Sequence, residues 1–217
     1  MYKLLNWIDQ SKLKPGPKPD PYDCDSENPD KISYLTENPD KICWFWLSAN
    51  PAAIHLLTEN LDKINWHTLS MNPAALNLLQ KNKDKINWTN LCTNTNPRIV
   101  PLLRENLDKV SWMWLSKNPA AIQLLTENQD KICWSMLSTN PAAINLLQKH
   151  QDKIEWTWLC KNPAALNLLK DNQDKIDWGI LSYNPAIFEY NYKAMTRPFK
   201  EELLAVIYHP DNVKKLI

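Results

Sequence analysis

Apolar and polar positions recur along this chain with a period of 22 residues, and each period carries two short helical stripes. The string Asp-Lys-(Ile/Val)-x-Trp starts at Asp40, Asp62, Asp84, Asp108, Asp130, Asp152 and Asp174, in steps of 22, 22, 24, 22, 22 and 22. The full unit reads D-K-I-x-W-x-x-L-(S/C)-x-N-P-A-A-(I/L)-x-L-L-x-x-N-x. Self-similarity at such a period marks a solenoid, in which each unit buries its apolar faces only against its neighbours. The longer unit has its two extra residues in Thr93-Asn94-Thr95, before Asn96-Pro97, a junction where insertion costs little.

The second half of the unit is the clearer helix. In the stretch from Asn50 to Asn60, Asn50 is a good N-cap and Pro51 suits the first helical position, where its missing N–H costs nothing. Ala and Leu propagate helix, and Asn60 reads as a left-handed stop. Ala52, Ala53, Ile54, Leu56, Leu57 and Asn60 cover roughly 200° of the circumference at about 100° per residue, wider than a surface stripe. Such a helix packs on several sides. In the first half Trp44, Leu47 and Ser48 share a face, while Phe45 and Trp46 point away. The pattern predicts about two turns from near Trp44 after a buried corner at Asp40-Lys41-Ile42; a helix capped by Asp40 itself is the competing assignment.

The repeat extends upstream through Asn28-Pro29 to Asn38, and in the degenerate half before it, Lys18 to Glu27, only Tyr22 sits where a Trp would. Before it, Pro15, Pro17, Pro19 and Pro21 alternate, which predicts an extended strut. Leu4 to Ile8 is expected to form a short helix capping one end, and Lys200 to Tyr208 a closing helix. The predicted architecture is therefore an all-α solenoid: an N-terminal cap and proline-rich segment over residues 1–27, helical repeats over 28–190 and a C-terminal capping helix over 191–217.

Composition narrows the function. The 217 residues hold 11 Trp but only 2 Gly, too few for a fold built on tight β-turns. A formal net charge of +1 argues against a nucleic-acid binder, whose affinity comes largely from neutralising phosphates. The five cysteines (Cys24, Cys43, Cys92, Cys133 and Cys160) have no CxxC spacing and read as small-residue substitutions in a reducing compartment. The four histidines, His55, His67, His150 and His209, lie in unrelated contexts without ligand spacing. No apolar run approaches the ~18 residues of a membrane span, and no secretory signal is evident at the start. No Gly-rich phosphate loop, carboxylate pair or triad is present, so an enzyme is not expected, nor a cofactor or metal.

The unit W-x-x-L-S-x-N-P-A-A-I-x-L-L-x-x-N-x-D-K-I-x-W resembles a short repeat found in many proteins of giant nucleocytoplasmic DNA viruses of amoebae and algae. The tail is similar to theirs too, in Asn184 to Tyr190, Phe199 to Leu203 and His209-Pro210, so the resemblance covers residues 28–217. It implies a viral origin and expression inside a host cell, in the host cytoplasm or the virion, and it implies no catalytic residue, cofactor or substrate. The proline-rich stretch from Lys14 to Pro21 departs from it.

Function must then sit where the units differ. The ladder Trp residues (Trp44, Trp66, Trp88, Trp112, Trp134, Trp156 and Trp178) read as core, and the Asp-Lys pairs as a solvated edge. The asparagines Asn38, Asn60, Asn82, Asn106, Asn128 and Asn172 read as corner residues, with His150 substituting once. Two residues after each ladder Trp come Trp46, Thr68, Asn90, Trp114, Met136, Trp158 and Ile180. Outward Trp is costly to solubility and typical of interface hot spots, so Trp46, Trp114, Met136 and Trp158 are the candidate partner-binding residues; covering neighbouring helices is the competing use. They lie up to three units apart and need not form one patch. A second candidate is the polar row His55, Asn77, Gln123, Asn145 and Asn167 on the second helices, interrupted by Pro101 and Glu189. The expected function is a non-enzymatic scaffold for a host or viral protein, with no nucleic-acid or membrane partner; a self-associating virion or assembly component is the alternative.

Overall fold

A computed structural model describes residues 2–12 and 25–190. The proline-rich stretch and the expected closing helix lie outside them, with the rest of residues 191–217. The fold is an all-helical repeat stack, with one additional pair of three-residue strands. The unit beginning at Asp130 is representative. A 3-10 turn over Gln129–Lys131 leads into a first α-helix, Trp134–Ser138. A second 3-10 turn, Pro141–Ala143, leads into a second α-helix, Ile144–Lys149. The first helix starts at the ladder Trp because the residues before it are extended: Ile42 has φ −73° and ψ 120°, and Cys43 has φ −90° and ψ 98°. The helix therefore starts after a corner, with Asp40 in the preceding 3-10 turn rather than capping the helix, but the corner is not buried as expected: Asp40 and Lys41 are exposed and Ile42 is half-buried.

Two local expectations are corrected. Asn60 does not end its helix in the left-handed region; its φ is −129°, and no non-Gly residue among those described has positive φ. Its side-chain amide instead donates to the Leu56 carbonyl, capping the helix without turning the backbone over. The next unit begins at once, so the chain has no room for a left-handed reversal. The buried arc is also narrower than predicted, with Ala53, Leu56 and Leu57 buried and Ile54 half-buried, while Ala52 faces solvent. The 3-10 geometry of Pro51–Ala53 rotates Ala52 away from the α-helical face that follows.

The core is a column of repeated side chains. Leu47, Leu69, Leu91, Leu115, Leu137, Leu159 and Leu181 are fully buried, as is the second-helix series Leu57, Leu79, Leu103, Leu125, Leu147 and Leu169. Through this column runs a buried polar spine. Asn140 Oδ1 accepts the Ala142 N–H at 3.0 Å, which is the expected N-cap. Its Nδ2 also donates to the Ser116 and Asn118 carbonyls of the preceding unit, both at 3.0 Å. Asn72, Asn94, Asn118, Asn162 and Asn184 make the same pair of bonds one unit back. A parallel spine uses the Ser after the core Leu: Ser48 Oγ donates to the Trp44 carbonyl and accepts the Asn65 N–H of the next unit at 3.0 Å. Among the described residues no buried side-chain polar atom lacks a partner.

The longer unit separates the two roles of this Asn. Asn94 keeps the spine, donating to Ser70 and Asn72, while Asn96 caps the following 3-10 turn by accepting the Arg98 N–H. The extra residues thus follow the spine Asn, and stacking is undisturbed.

The expected N-terminal helix over Leu4 to Ile8 does not form. Tyr2–Leu4 is a strand, β1, paired antiparallel with Phe188–Tyr190, β2, so that Lys3 faces Glu189. The last unit's second helix stops after Pro185–Ile187, and the freed Ile187 carbonyl accepts the Leu5 N–H at 2.8 Å. The N-terminus therefore covers the C-terminal end of the stack.

Asn140→Ala would remove a donor from the buried Ser116 and Asn118 carbonyls, of which Asn118 keeps the Ala121 N–H, and would leave the Ala142 N–H without its acceptor. It is expected to destabilise the protein by about 3 kcal/mol, against about 1 kcal/mol for Asn128→Ala, whose half-buried amide makes a single bond. Urea unfolding followed by helical circular dichroism measures both; equal losses would contradict the spine's role.

Candidate functional site

The row two residues after the ladder Trp divides into two kinds of position. In the early units it is a staple between consecutive first helices: Thr68 Oγ1 donates to the Phe45 carbonyl at 2.8 Å, and Asn90 Nδ2 to the His67 carbonyl at 2.8 Å. From Trp114 onward it carries large apolar side chains instead. Trp114, Met136 and Trp158 line one depression of about 370 Å3 together with Lys117, Thr139 and Lys161. The register explains this meeting. Each unit repeats the same helix in the same orientation, so a side chain recurring every 22 residues forms a straight row, with the residue one turn later forming a second row beside it.

This row continues into a more apolar depression of about 460 Å3, which shares Trp114, Lys117 and Thr139 and adds Met71, Thr93 and Thr95. Thr95 lies in the stretch that lengthens this unit, so the insertion that spares the spine also shapes the surface. Two ammonium groups stand at the edge: Lys161 Nζ lies 4.5 Å from the centroid of the Trp158 ring, and Lys117 lies two units upstream. Trp158 is 38% exposed despite this partial cover. Trp46, the fourth candidate, is separate. It is 37% exposed and meets Phe45 edge-on at 5.0 Å, and the next two positions in its row are the polar staples Thr68 and Asn90.

The ladder Trp residues are half-buried, and one ring face of each is roofed by the next unit. Lys63, Lys85, Lys109, Lys131, Lys153 and Lys175 place their ammonium groups 4.4 to 5.1 Å from the centroids of Trp44, Trp66, Trp88, Trp112, Trp134 and Trp156. The Lys of the Asp-Lys pair is therefore a packing residue and not merely part of a solvated edge. The signal was present as a fixed offset of 19 residues from Trp44 to Lys63, and 21 from Trp88 to Lys109 across the insertion.

The second candidate row behaves differently. His55, Asn77, Gln123, Asn145 and Asn167 are all exposed. Gln123 donates to Glu127, whose carboxylate also receives the Arg104 guanidinium of the preceding unit at 3.2 Å. That contact clips two units together at one place, and it holds the Glu127 carboxyl below the usual carboxylate range. Glu189's side chain lies outside the described set.

Cys92 and Cys160 replace the spine Ser, and Cys92 keeps its accepting role. Cys92 Sγ accepts the Ser111 N–H at 3.3 Å. Burial pushes both thiols up from their ordinary value, the reverse of what a nucleophile needs. Among the described residues no group of three or more His, Cys, Asp or Glu is placed to hold a metal ion, and no helix is long and apolar enough to cross a membrane. A scan against protein-family models, a search of curated proteins and a search of solved structures find no match.

Raised pKa values leave less thiolate at any pH, and burial excludes reagent as well. Cys92 and Cys160 are expected to react with a disulfide reagent at pH 8 only after urea is added, while half-buried Cys43 and Cys133 react in the native protein. Mapping labelled peptides by mass spectrometry before and after denaturation reads this directly.

Proposed function

We propose that this chain is a non-enzymatic repeat scaffold that holds an extended, acidic segment of a host or viral protein along the row Trp114, Met136 and Trp158. The observation that supports it is the gathering of these three side chains into one depression edged by Lys117 and Lys161. Large, partly exposed apolar side chains beside cations are the composition of binding hot spots, and they stand where Thr68 and Asn90 make a hydrogen bond in earlier units.

Geometry sets the form of the ligand. Packed helices lie about 8–10 Å apart, so the row from Trp114 to Trp158 extends about 16–20 Å. A polyproline-II-like extended chain advances about 3.1 Å per residue with three residues per turn, so a segment of about seven residues covers the row and presents an apolar side chain to it at every third position. Carboxylates between them meet Lys117 and Lys161. The whole chain is nearly neutral, at +1, so this attraction is local to the face. Such a surface selects by side-chain pattern and offers no group to carry out a reaction.

Immobilised ten-residue peptides with an apolar side chain at every third position, carrying Asp and Glu, neutral or Lys residues between, test the reading. The acidic set should bind most tightly. Trp114→Ala/Trp158→Ala should weaken it at least about tenfold, as loss of two hot-spot side chains implies. Lys117→Glu/Lys161→Glu should reverse the charge preference, and Trp46→Ala should change nothing. Equal retention by all three variants, each with unchanged helical circular dichroism, would place the binding surface elsewhere.

A further inference from the structure

The apolar depression of about 460 Å3 beside the row has the volume of sites that enclose a small ligand or one large side chain. Its apolar walls are Met71, the Trp114 ring and the prolines Pro119 and Pro141. Its polar groups are the hydroxyls of Thr93, Thr95 and Thr139, the Lys117 ammonium and the Asn118 amide. Much of their hydrogen-bonding capacity is already used. Thr93 Oγ1 donates to the Asn90 carbonyl and Thr139 Oγ1 to the Met136 carbonyl, both at 2.8 Å. Asn118 gives its N–H groups to the Cys92 and Asn94 carbonyls. A hydroxyl has one donor and two lone pairs, so Thr93 and Thr139 offer an occupant only acceptors. Lys117 offers it only donors.

We infer that this depression anchors a tyrosine of the bound segment, with its ring against Trp114 and the two prolines and its phenolic oxygen between the threonine hydroxyls and Lys117. The inference rests on the reading of the row as a peptide site, with which the depression shares Trp114, Lys117 and Thr139. The hydrogen-bonding match selects the residue. A phenol donates one O–H, which a threonine oxygen accepts, and its own oxygen accepts from the ammonium. An indole N–H donates but accepts nothing, and Phe or Leu leaves every polar group of the depression without a partner. The tyrosine ring supplies large apolar contact while its polar tip stays paired. Met71 and Thr93 belong to the two units before that of Trp114, so the depression extends the row past its Trp114 end. One unit step of about 8–10 Å corresponds to about three residues of a segment advancing about 3.1 Å each. Thr95 ties the anchor to the unit that carries the insertion.

Acidic ten-residue peptides that match the row, lengthened by about three residues at one end or the other and finishing on Tyr, Phe or Ala, test it by fluorescence anisotropy of an attached dye. At one of the two ends Tyr should bind about three- to tenfold more tightly than Phe, the worth of a neutral hydrogen bond, and Phe more tightly than Ala. Thr93→Val/Thr139→Val should bring Tyr down to Phe and leave Phe unchanged. The fold is spared, because the Asn90 and Met136 carbonyls keep the backbone N–H groups of residues 93 and 139. Thr95→Trp, at an exposed position, should fill the depression, so that all three peptides bind as the Ala peptide binds the native chain. Helical circular dichroism checks both variants. Binding with Tyr equal to Phe at both ends, or a Tyr advantage that survives the valines, overturns the anchor and leaves the row reading standing. No binding by any acidic peptide overturns both.

Discussion

The stack depends on one side-chain amide repeated in register. A buried Asn has two N–H donors and an acceptor oxygen, and each spine Asn uses all three: Asn72 donates to the Ser48 and Asn50 carbonyls and accepts the Ala74 N–H. An unmet donor in an apolar column costs about 1–3 kcal/mol, so the preceding unit must present both carbonyls at hydrogen-bond distance. This sets the unit length. Hydrophobic contact between Leu columns is not directional and would tolerate sliding or rotation, whereas the amide does not. The insertion shows the constraint at work: two residues are accepted only after Asn94 has satisfied its carbonyls, and a new Asn96 then caps the turn. Cys92 is tolerated in the Ser spine because its thiol sulfur still accepts the N–H of the following unit.

Around this spine the Trp and Lys positions settle the outer surface. A Trp ring left open at the edge of a stack is an apolar liability; a Lys from the next unit covers it with its stem and sets its charge on the ring face, worth about 0.5–1 kcal/mol at an exposed site. The other roofs each come from the following unit, whereas Trp178, in the last described unit, takes its roof from a different place. Lys12 supplies it from the other end of the chain. The same logic explains β1: a second helix that stops at Ile187 leaves backbone groups unpaired, and an added strand satisfies them.

The sequence made the fold plain because a solenoid writes its rules in each unit. The period, the N-cap at Asn50, the start at Trp44 and the position of Leu47 follow from local pattern, and the structure carries all of them. What was hidden is what one unit does to the next. The amide donors of Asn72 find their partners 24 and 22 residues back, at Ser48 and Asn50, and nothing local distinguishes a cap that also spans units from one that does not. The Asn series at Asn60 drew attention as a corner device, while the deeper series was read only as caps. The N-terminus misled for a related reason: Leu4 to Ile8 has helical composition, but the open edge at Ile187 decides its conformation. For the candidate site, the row containing Trp114, Met136 and Trp158 was legible, and its splitting was not. That depended on the short side chains Thr68 and Asn90 reaching a carbonyl which Trp and Met leave alone.

That splitting also indicates why the row is free to vary. In the early units the staple from Thr68 or Asn90 joins helices that the Asn and Ser spines already hold in register, so it adds little that is needed for stacking. Once the insertion after Asn94 has altered one unit step, the position can be given to other uses without endangering the stack. Trp114 is the first residue of the row beyond the insertion, and it borders both depressions. A repeat protein acquires a distinct surface by relaxing one unit's outer geometry while its inner hydrogen bonds stay fixed. In this chain the two extra residues adjoin the run of the row from Trp114 to Trp158, while Trp46, before them, is followed by the polar Thr68 and Asn90.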